Sequence, residues 1–365
     1  MATILVSIIC MAMIVVGGMT LSQGIITSAD VTSLSIEQIS LREGEMTRTH
    51  LEAVRATHLA WSDLLRVTVR NTGQTRLAGF DKWDFIVHYF DAGSVSRTEW
   101  LPYTTGALGD NEWQKARIGL NGPVDFFEPD ILNPQEELVA LAGLNPSPGT
   151  GWPGNITIVT PNGVFDSIDF SSPGNAVLTP HTENTTIAST NYYELVENTP
   201  ADSAGTTFRE DFIRNEGGRK ILLNENQPSR PARYLYPLIG IDEIPAATWT
   251  VYYRCLVTGG GQFPRKDGDV YFNIDILVRQ ADGSIRTTIA TGAASAYVDK
   301  SEEGTWLTKS ANFAFPGYTV VDVNDYLEIV YYGATDLGPA GDAGYMQLRT
   351  DDIALSVNEQ TRIEP

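Results

Sequence analysis

A long N-terminal α-helix followed by two tandem β units, of sandwich or jelly-roll type, is the fold class that the sequence predicts. Three observations predict it. No charged residue lies between Ala2 and Ala29. The apolar periodicity changes from helical to alternating near residue 49. From there on, short alternating runs are separated by clusters of Gly, Pro, Asn and Asp. A length of 365 residues exceeds what one hydrophobic core usually supports, so the β region is expected to divide in two. The expected boundaries are 1–48 for the helix, 49–171 for the first β unit and 172–365 for the second.

The helix comes first. Its apolar run, centred on Ile4, Leu5, Ile8, Ile9, Met11, Ile14 and Val15, is long enough to cross the hydrocarbon of a bilayer. Beyond Asp30 the pattern turns amphipathic, with Ile25, Ala29, Ile36, Ile39 and Met46 near helical spacing, and the helix is expected to end at about Arg48. Gly17, Gly18 and Gly24 each weaken a helix by up to ~1 kcal/mol relative to Ala. Small residues also let helices approach closely in apolar surroundings, so these glycines read as contact points or as tolerated flexibility. Three fates compete for such a segment. A removable signal peptide needs a basic leading region, and no Lys or Arg occurs before Arg42. A permanent anchor is expected to carry orienting basic residues. A pilin-like helix keeps its basic residues in a leader that a dedicated peptidase removes, and this reading accounts best for their absence.

The β units follow. Thr49–Ala56 and Leu64–Arg70 form a predicted hairpin about the turn Trp61-Ser62-Asp63, and Asn71-Thr72-Gly73 ends it. Phe85–Phe90, Gln114–Leu120, Glu137–Leu141 and Asn155–Thr160 continue as strands, and Pro161-Asn162-Gly163 is expected to close the set. The stretch Ser171–Asn175 reads as the boundary. The second unit has strand candidates Tyr192–Val196, Tyr234–Ile239, Thr248–Val257, Val270–Val278, Ile285–Thr291, Tyr326–Tyr332 and Asp352–Val357. Its turns are expected at Gly259–Gly261, Asp267–Asp269 and Gln280–Ser284.

An apolar leading helix, then Val67-Thr68-Val69-Arg70-Asn71-Thr72-Gly73, then Phe80-Asp81-Lys82-Trp83-Asp84-Phe85-Ile86-Val87 resembles the archaellins, the archaeal-type flagellins of the type IV pilin-like superfamily. The resemblance spans about the first 165 residues. Leu5 and Ser22 stand where bacterial pilins usually carry a glutamate and often a proline, which favours the archaellin reading. It implies a structural, non-enzymatic subunit of an extracellular, cell-surface motility filament, a homopolymer built through a bundle of N-terminal helices. It further implies transient membrane insertion, a prepilin-type peptidase and a secretion ATPase as partners. The second β unit lies outside the common pattern and reads as an outer decoration. The runner-up is an adhesive pilin-like or membrane-anchored surface protein whose outer unit binds glycan or protein.

The remaining signals are weaker. With Asp+Glu 45 against Lys+Arg 25, the net charge of −20 repels phosphate backbones, so nucleic acid is not an expected partner. Cys10 and Cys255 are too few for a disulfide framework and read as buried free thiols. His50, His58, His88 and His181 are scattered, with no nucleophile elbow or phosphate loop, and no cofactor is expected. Gly149-Thr150-Gly151-Trp152-Pro153-Gly154 matches a dinucleotide fingerprint only formally, because no helix starts across Trp152-Pro153. Asn155 and Asn184 begin N-glycosylation sequons. Asp351 with Asp352, or Asp267 with Asp269, are weak Ca²⁺ candidates, more readily read as turn or solvated carboxylates. Tyr252, Tyr253, Tyr331 and Tyr332 are considered as a sugar-binding face, against the alternation that would bury one of each pair.

Overall fold

The computed structural model describes residues 2–120, 128–172, 176–199, 201–212, 219–225, 231–259, 270–335 and 344–365. Side chains are described for these except at 2–6, 25–26, 29–31, 211–212, 219–221, 259, 300 and 335. The side chains of Ile4, Leu5, Ile25 and Ala29 therefore lie outside the described residues, as do most of the predicted turns at Gly259–Gly261 and Asp267–Asp269 and part of the boundary at Ser171–Asn175.

One helix, α1, covers Ala2–Arg48. At ~1.5 Å per residue it is a rod of about 70 Å. The first β unit holds β1 (Leu51–His58), β2 (Leu64–Asn71), β3 (Asp84–Phe90), β4 (Ser96–Leu101), β5 (Trp113–Gly119), β6 (Glu137–Gly143), β7 (Pro153–Val159) and β8 (Phe165–Ser171). They form two antiparallel sheets, ordered β1-β2-β6-β5 and β4-β3-β7-β8. Alternation along the strands turns Leu65, Val67 and Val69 of one sheet and Phe85, Val87 and Ile156 of the other into one sandwich core. Phe85 stacks on Trp113 there, with ring centroids 3.9 Å apart.

Pro161-Asn162-Gly163 does not close this set. It is a hairpin turn, with Gly163 at φ 87°, leading from β7 into β8. Both β8 and β4 are edge strands rich in Ser, Asp, Thr and Glu, and that polar composition hides an edge from any reading based on apolar alternation.

The second unit holds β9 (Leu178–Ile187), β10 (Thr190–Glu197), β11 (Ala204–Phe212), β12 (Arg219–Leu222), β13 (Arg233–Pro237), β14 (Glu243–Ile244), β15 (Ala247–Gly259), β16 (Val270–Arg279), β17 (Ile285–Val298), β18 (Leu307–Phe315), β19 (Tyr318–Thr319), β20 (Tyr326–Thr335), β21 (Gly344–Asp352) and β22 (Arg362–Glu364). Twelve of these join one sheet, while β14 and β19 pair separately. Two long strands organise it. β15 carries β18 along one edge and, end to end along the other, β22 and β21. β20 carries β16 on one side and β13 then β12 on the other. The short β22 also bonds to β9, so it bridges the two halves of the sheet. Trp249, Val251, Tyr253, Phe272, Ile274, Leu327, Ile329 and Tyr331 alternate inward to fill the core.

Asp352–Val357 is not a strand. β21 ends at Asp352, and a capped 3₁₀ turn, Val357–Glu359, follows, held by the reciprocal bonds of Ser356 and Glu359. Tyr253, Tyr331 and Tyr332 are buried, and Tyr252 lies beneath the Arg362 guanidinium, 3.6 Å from its ring centre. The four tyrosines therefore form no exposed sugar-binding face. Cys255 is buried, and burial pushes its thiol up to about 12. Cys10 is exposed on α1, contrary to expectation, because the apolar run around it faces no part of this chain.

The turn between β1 and β2 clamps the two units together. Trp61 stacks on Trp249 at 6.4 Å and meets Tyr236 edge-on at 5.5 Å. Leu59 and Leu141 of the first unit belong to the second unit's core. Gly240, at φ +84°, lets the chain pass where a Cβ would lie 2.7 Å from a Leu141 methyl. Buried Glu197 accepts the Ala60 N–H at 3.0 Å and the Tyr236 hydroxyl. His58, also buried, meets Ser172 Oγ at 3.1 Å and the Asp63 carboxylate at 3.0 Å.

Burial holds the His58 pKa below its ordinary value, although the Asp63 charge pulls the other way. The unfolded chain then binds a proton more readily than the folded one. The contribution of His58 is fully present above its unfolded pKa of ~6.5 and is lost as pH falls through the lower folded value. Thermal unfolding of the detergent-solubilised chain from pH 7.5 down to pH 5 is expected to show this loss, and His58→Gln is expected to shrink it. An unchanged slope in the variant would place the acid sensitivity elsewhere.

Candidate functional site

The surface of α1 is the candidate site. Ile8, Ile9, Met11, Ile14 and Val15 are all at least half exposed, Ile14 at 74%. Successive residues turn by ~100°, so these positions cover the whole circumference rather than one stripe. Ser7–Gly24 is long and apolar enough to cross a membrane, and none of it is buried within the chain. The exposed apolar surface continues through Met19, Leu21, Leu34, Ile36, Ile39 and Leu41.

Four threonines along the rod bond to its own backbone. The hydroxyls of Thr20, Thr27, Thr32 and Thr47 donate to the carbonyls of Val16, Gln23, Ser28 and Glu43, at 3.0, 2.9, 2.8 and 2.8 Å. Such hydroxyls enter apolar surroundings without stranding a donor. At Gly17, Gly18 and Gly24 an added Cβ would meet nothing within 4 Å. Nothing inside this chain, then, calls for a glycine at those positions.

The rod is fixed to the sandwich by the Asn71-Thr72-Gly73 turn. Buried Asn71 donates to the carbonyls of Thr75 at 2.7 Å and Leu132 at 3.0 Å, and accepts the Gly73 N–H at 3.0 Å. The N–H groups of Thr72 and Gly73 both donate to His50 O at 3.1 Å, and Gln74 N–H donates to Arg48 O at 2.8 Å. A Cβ on Gly73 would lie 2.4 Å from His50 N and 2.6 Å from Arg48 O. Asn162, in the β7–β8 turn, donates to Thr49 Oγ1 at 2.8 Å. The helix end is thereby bound to both sheets. Trp83, of the second motif, is buried and packs on Phe80 at 5.2 Å, while Asp84 accepts the Trp100 indole N–H at 2.8 Å.

A cleft of about 280 Å³ lies between the two β units, lined in part by Arg55, Arg66, Arg70 and Arg117. Each guanidinium already has a partner: Glu194 at 3.2 Å, Pro237 O at 3.0 Å, Glu137 at 3.1 Å and the Tyr326 hydroxyl at 3.0 Å. The cleft is a polar latch of the junction. Asn184 sits exposed among its lining residues, whereas Asn155 is half-buried on β7 with its amide donating to Asp169 at 2.8 Å. Asp351 and Asp352 point to different partners: Asp352 pairs with Arg349 at 2.5 Å, and Asp351 accepts from Thr182 and Asp202.

No protein-family model and no curated protein matches the chain. Solved structures do match. The archaellum periplasmic stator protein FlaG from Sulfolobus acidocaldarius is 21% identical, with 33% of this chain and 99% of that one covered and a TM-score of 0.24. The complex of FlaF and FlaG from the same organism gives 20% identity, coverage of 33% and 87%, and a TM-score of 0.25. The infectious bursal disease virus Gx strain structure gives 9% identity, coverage of 87% and 75%, and a TM-score of 0.22.

Replacing Asn71 by Ala removes three hydrogen bonds and deprives the Thr75 carbonyl of its partner, while Gly73 N–H keeps His50 O and Leu132 O keeps Leu77 N–H, and a loss on the order of 1–3 kcal/mol is expected. Gly73→Ala is expected to cost at least as much, because its contacts are backbone atoms that cannot swing aside. Thermal unfolding by circular dichroism checks both. Unchanged midpoints would mean that the helix is not held at this turn.

Proposed function

We propose that this chain is the structural subunit of an extracellular, archaellum-type helical filament, polymerised through α1, with the first β unit as shell and the second as an outer decoration. The observation that carries this reading is the all-round apolar rod that no part of the described chain covers. Such a surface is stable only in lipid or among other apolar helices. At ~25 cal/mol per Å² its burial among identical rods is worth tens of kcal/mol per subunit before ordering costs. Glycines with open space around them add a reason for close helix approach between copies. On this reading the subunit waits in the membrane, loses a leader to a prepilin-type peptidase and is driven outward by a secretion ATPase. Asn155 and Asn184 are then candidate glycan acceptors on the shell and the outer unit.

The second reading keeps the rod in the bilayer as the anchor of a surface protein whose outer unit meets a glycan or a protein. Its supporting observation is Ser7–Gly24, an apolar stretch that alone meets the length a bilayer demands.

Removing residues 2–30 is expected to yield a water-soluble monomer by light scattering, and a truncated chain that still polymerised would sink the helix-bundle reading. Gly18→Leu separates the two fates. In a bundle it blocks close approach and is expected to abolish filaments in negative-stain images of cell-surface material, with the unfolding midpoint of the β units unchanged. In an anchor it is tolerated and the chain stays in membranes.

A further inference from the structure

His181 and Glu183 stand two residues apart on β9 and so share a face of that strand. Asp202 comes from the loop before β11, and Asp351 from the end of β21. One ligand atom from each lies within 4.8 Å of the others. The imidazole of His181 is fully buried, yet its Nδ1 has no hydrogen-bond partner. This nitrogen faces three carboxylates: Asp202 at 3.4 Å, Glu183 at 3.7 Å and Asp351 at 3.9 Å. On the other side of the ring Nε2 lies 3.3 Å from the Thr199 carbonyl, which accepts a hydrogen bond there. In the tautomer that donates Nε2–H, the Nδ1 lone pair and three carboxylates converge on one point, where a cation would give all four groups a partner. The other buried histidine, His58, also has a ring nitrogen without a hydrogen bond, but its Nε2 lies 3.0 Å from the single carboxylate of Asp63 and not among three.

We propose that His181, Glu183, Asp202 and Asp351 bind a divalent transition-metal ion of the zinc class, which ties β9, the loop before β11 and the end of β21 together. The spacing fits the ion. Four ligands at bonds of ~2.0–2.1 Å around a tetrahedral centre stand about 3.3 Å apart, and the Nδ1-to-oxygen separations of 3.4, 3.7 and 3.9 Å need to close by at most about 0.6 Å, within reach of the exposed Glu183 and Asp202 side chains. The donor set fits as well. An imidazole nitrogen with three carboxylates suits zinc, whereas Ca²⁺ takes six to eight oxygens. The bond from Nε2 to Thr199 O is the outer contact that commonly fixes a ligating histidine's tautomer. Asp351 is held in place by the N–H and hydroxyl of Thr182, both at 2.9 Å, and by the Asp202 N–H at 3.0 Å. Two ligands, Glu183 and Asp202, are half exposed and leave an entry path. Asp351 is thus a ligand without Asp352, which answers to Arg349 instead.

The test uses the full chain in detergent, purified without a polyhistidine tag, stripped with chelator and titrated calorimetrically with ZnCl₂ alone. One Zn²⁺ per chain is expected, with a rise in the unfolding midpoint that chelator reverses. Cobalt in place of zinc is expected to give the visible bands of a four-coordinate site. Glu183→Gln, on an exposed side chain that folding does not need, is expected to weaken binding by at least the roughly 10–100-fold that loss of an outer partner costs. His181→Asn is expected to abolish it. No binding by the parent chain, equal binding by Glu183→Gln, or a preference for Ca²⁺ over Zn²⁺ would each overturn the proposal.

Discussion

A helix that is apolar on every side, as α1 is over Ser7–Gly24, has no stable existence in water, and the architecture of this protein follows from that constraint. Among the described residues no strand lies along α1, and large side chains from Ile8 to Leu41 stand exposed, so the β units do not relieve it. What the rod offers is uniformity: its threonines close their hydrogen bonds on the helix backbone, and its glycines leave shallow places with open space beside them. Both features suit a neighbour of the same kind, which has no water to offer and approaches closely.

The rest of the molecule keeps that rod in a defined relation to a folded exterior. Asn71, Gly73 and Asn162 hold its end from both sheets of the first unit. Trp61, Leu59 and Glu197 hold the second unit to the first, and the arginine-lined cleft adds a polar latch. Displacement of the outer unit is therefore resisted through packed side chains and short backbone contacts along the whole path to the helix.

Much of this was legible in the sequence, and the limits are physical. The helix and its end near Arg48 followed from an uncharged apolar run continued beyond Asp30 by amphipathic helical spacing, and the β1–β2 hairpin from the change to alternation. Edge strands β4 and β8 were hidden because nothing covers one side of them and polar residues are tolerated there. Alternation argued against an outward tyrosine face, and burial goes further than it required, with Tyr332 as well as Tyr253 and Tyr331 buried. Asn71-Thr72-Gly73 stood out as a motif, but that its glycine makes room for the helix end needed coordinates. The cluster at His181 was out of reach for another reason. Its members are separated by up to 170 positions, and only the placing of β9 near the end of β21 unites them.

The smallest strand has the widest influence on how the outer unit comes into being. β22 contributes only Arg362–Glu364, yet it joins β15 to β9, a strand that precedes it by nearly two hundred residues. A chain made or exported in order keeps that seam open until almost every other part of the unit has emerged. Closure is then a late, long-range event of the kind that slows β proteins and leaves bare strand edges in the meantime. Any cell producing this protein faces an interval in which half-closed sheets of many copies crowd together, and shielding those edges becomes as much a part of its biogenesis as moving the greasy segment through the bilayer.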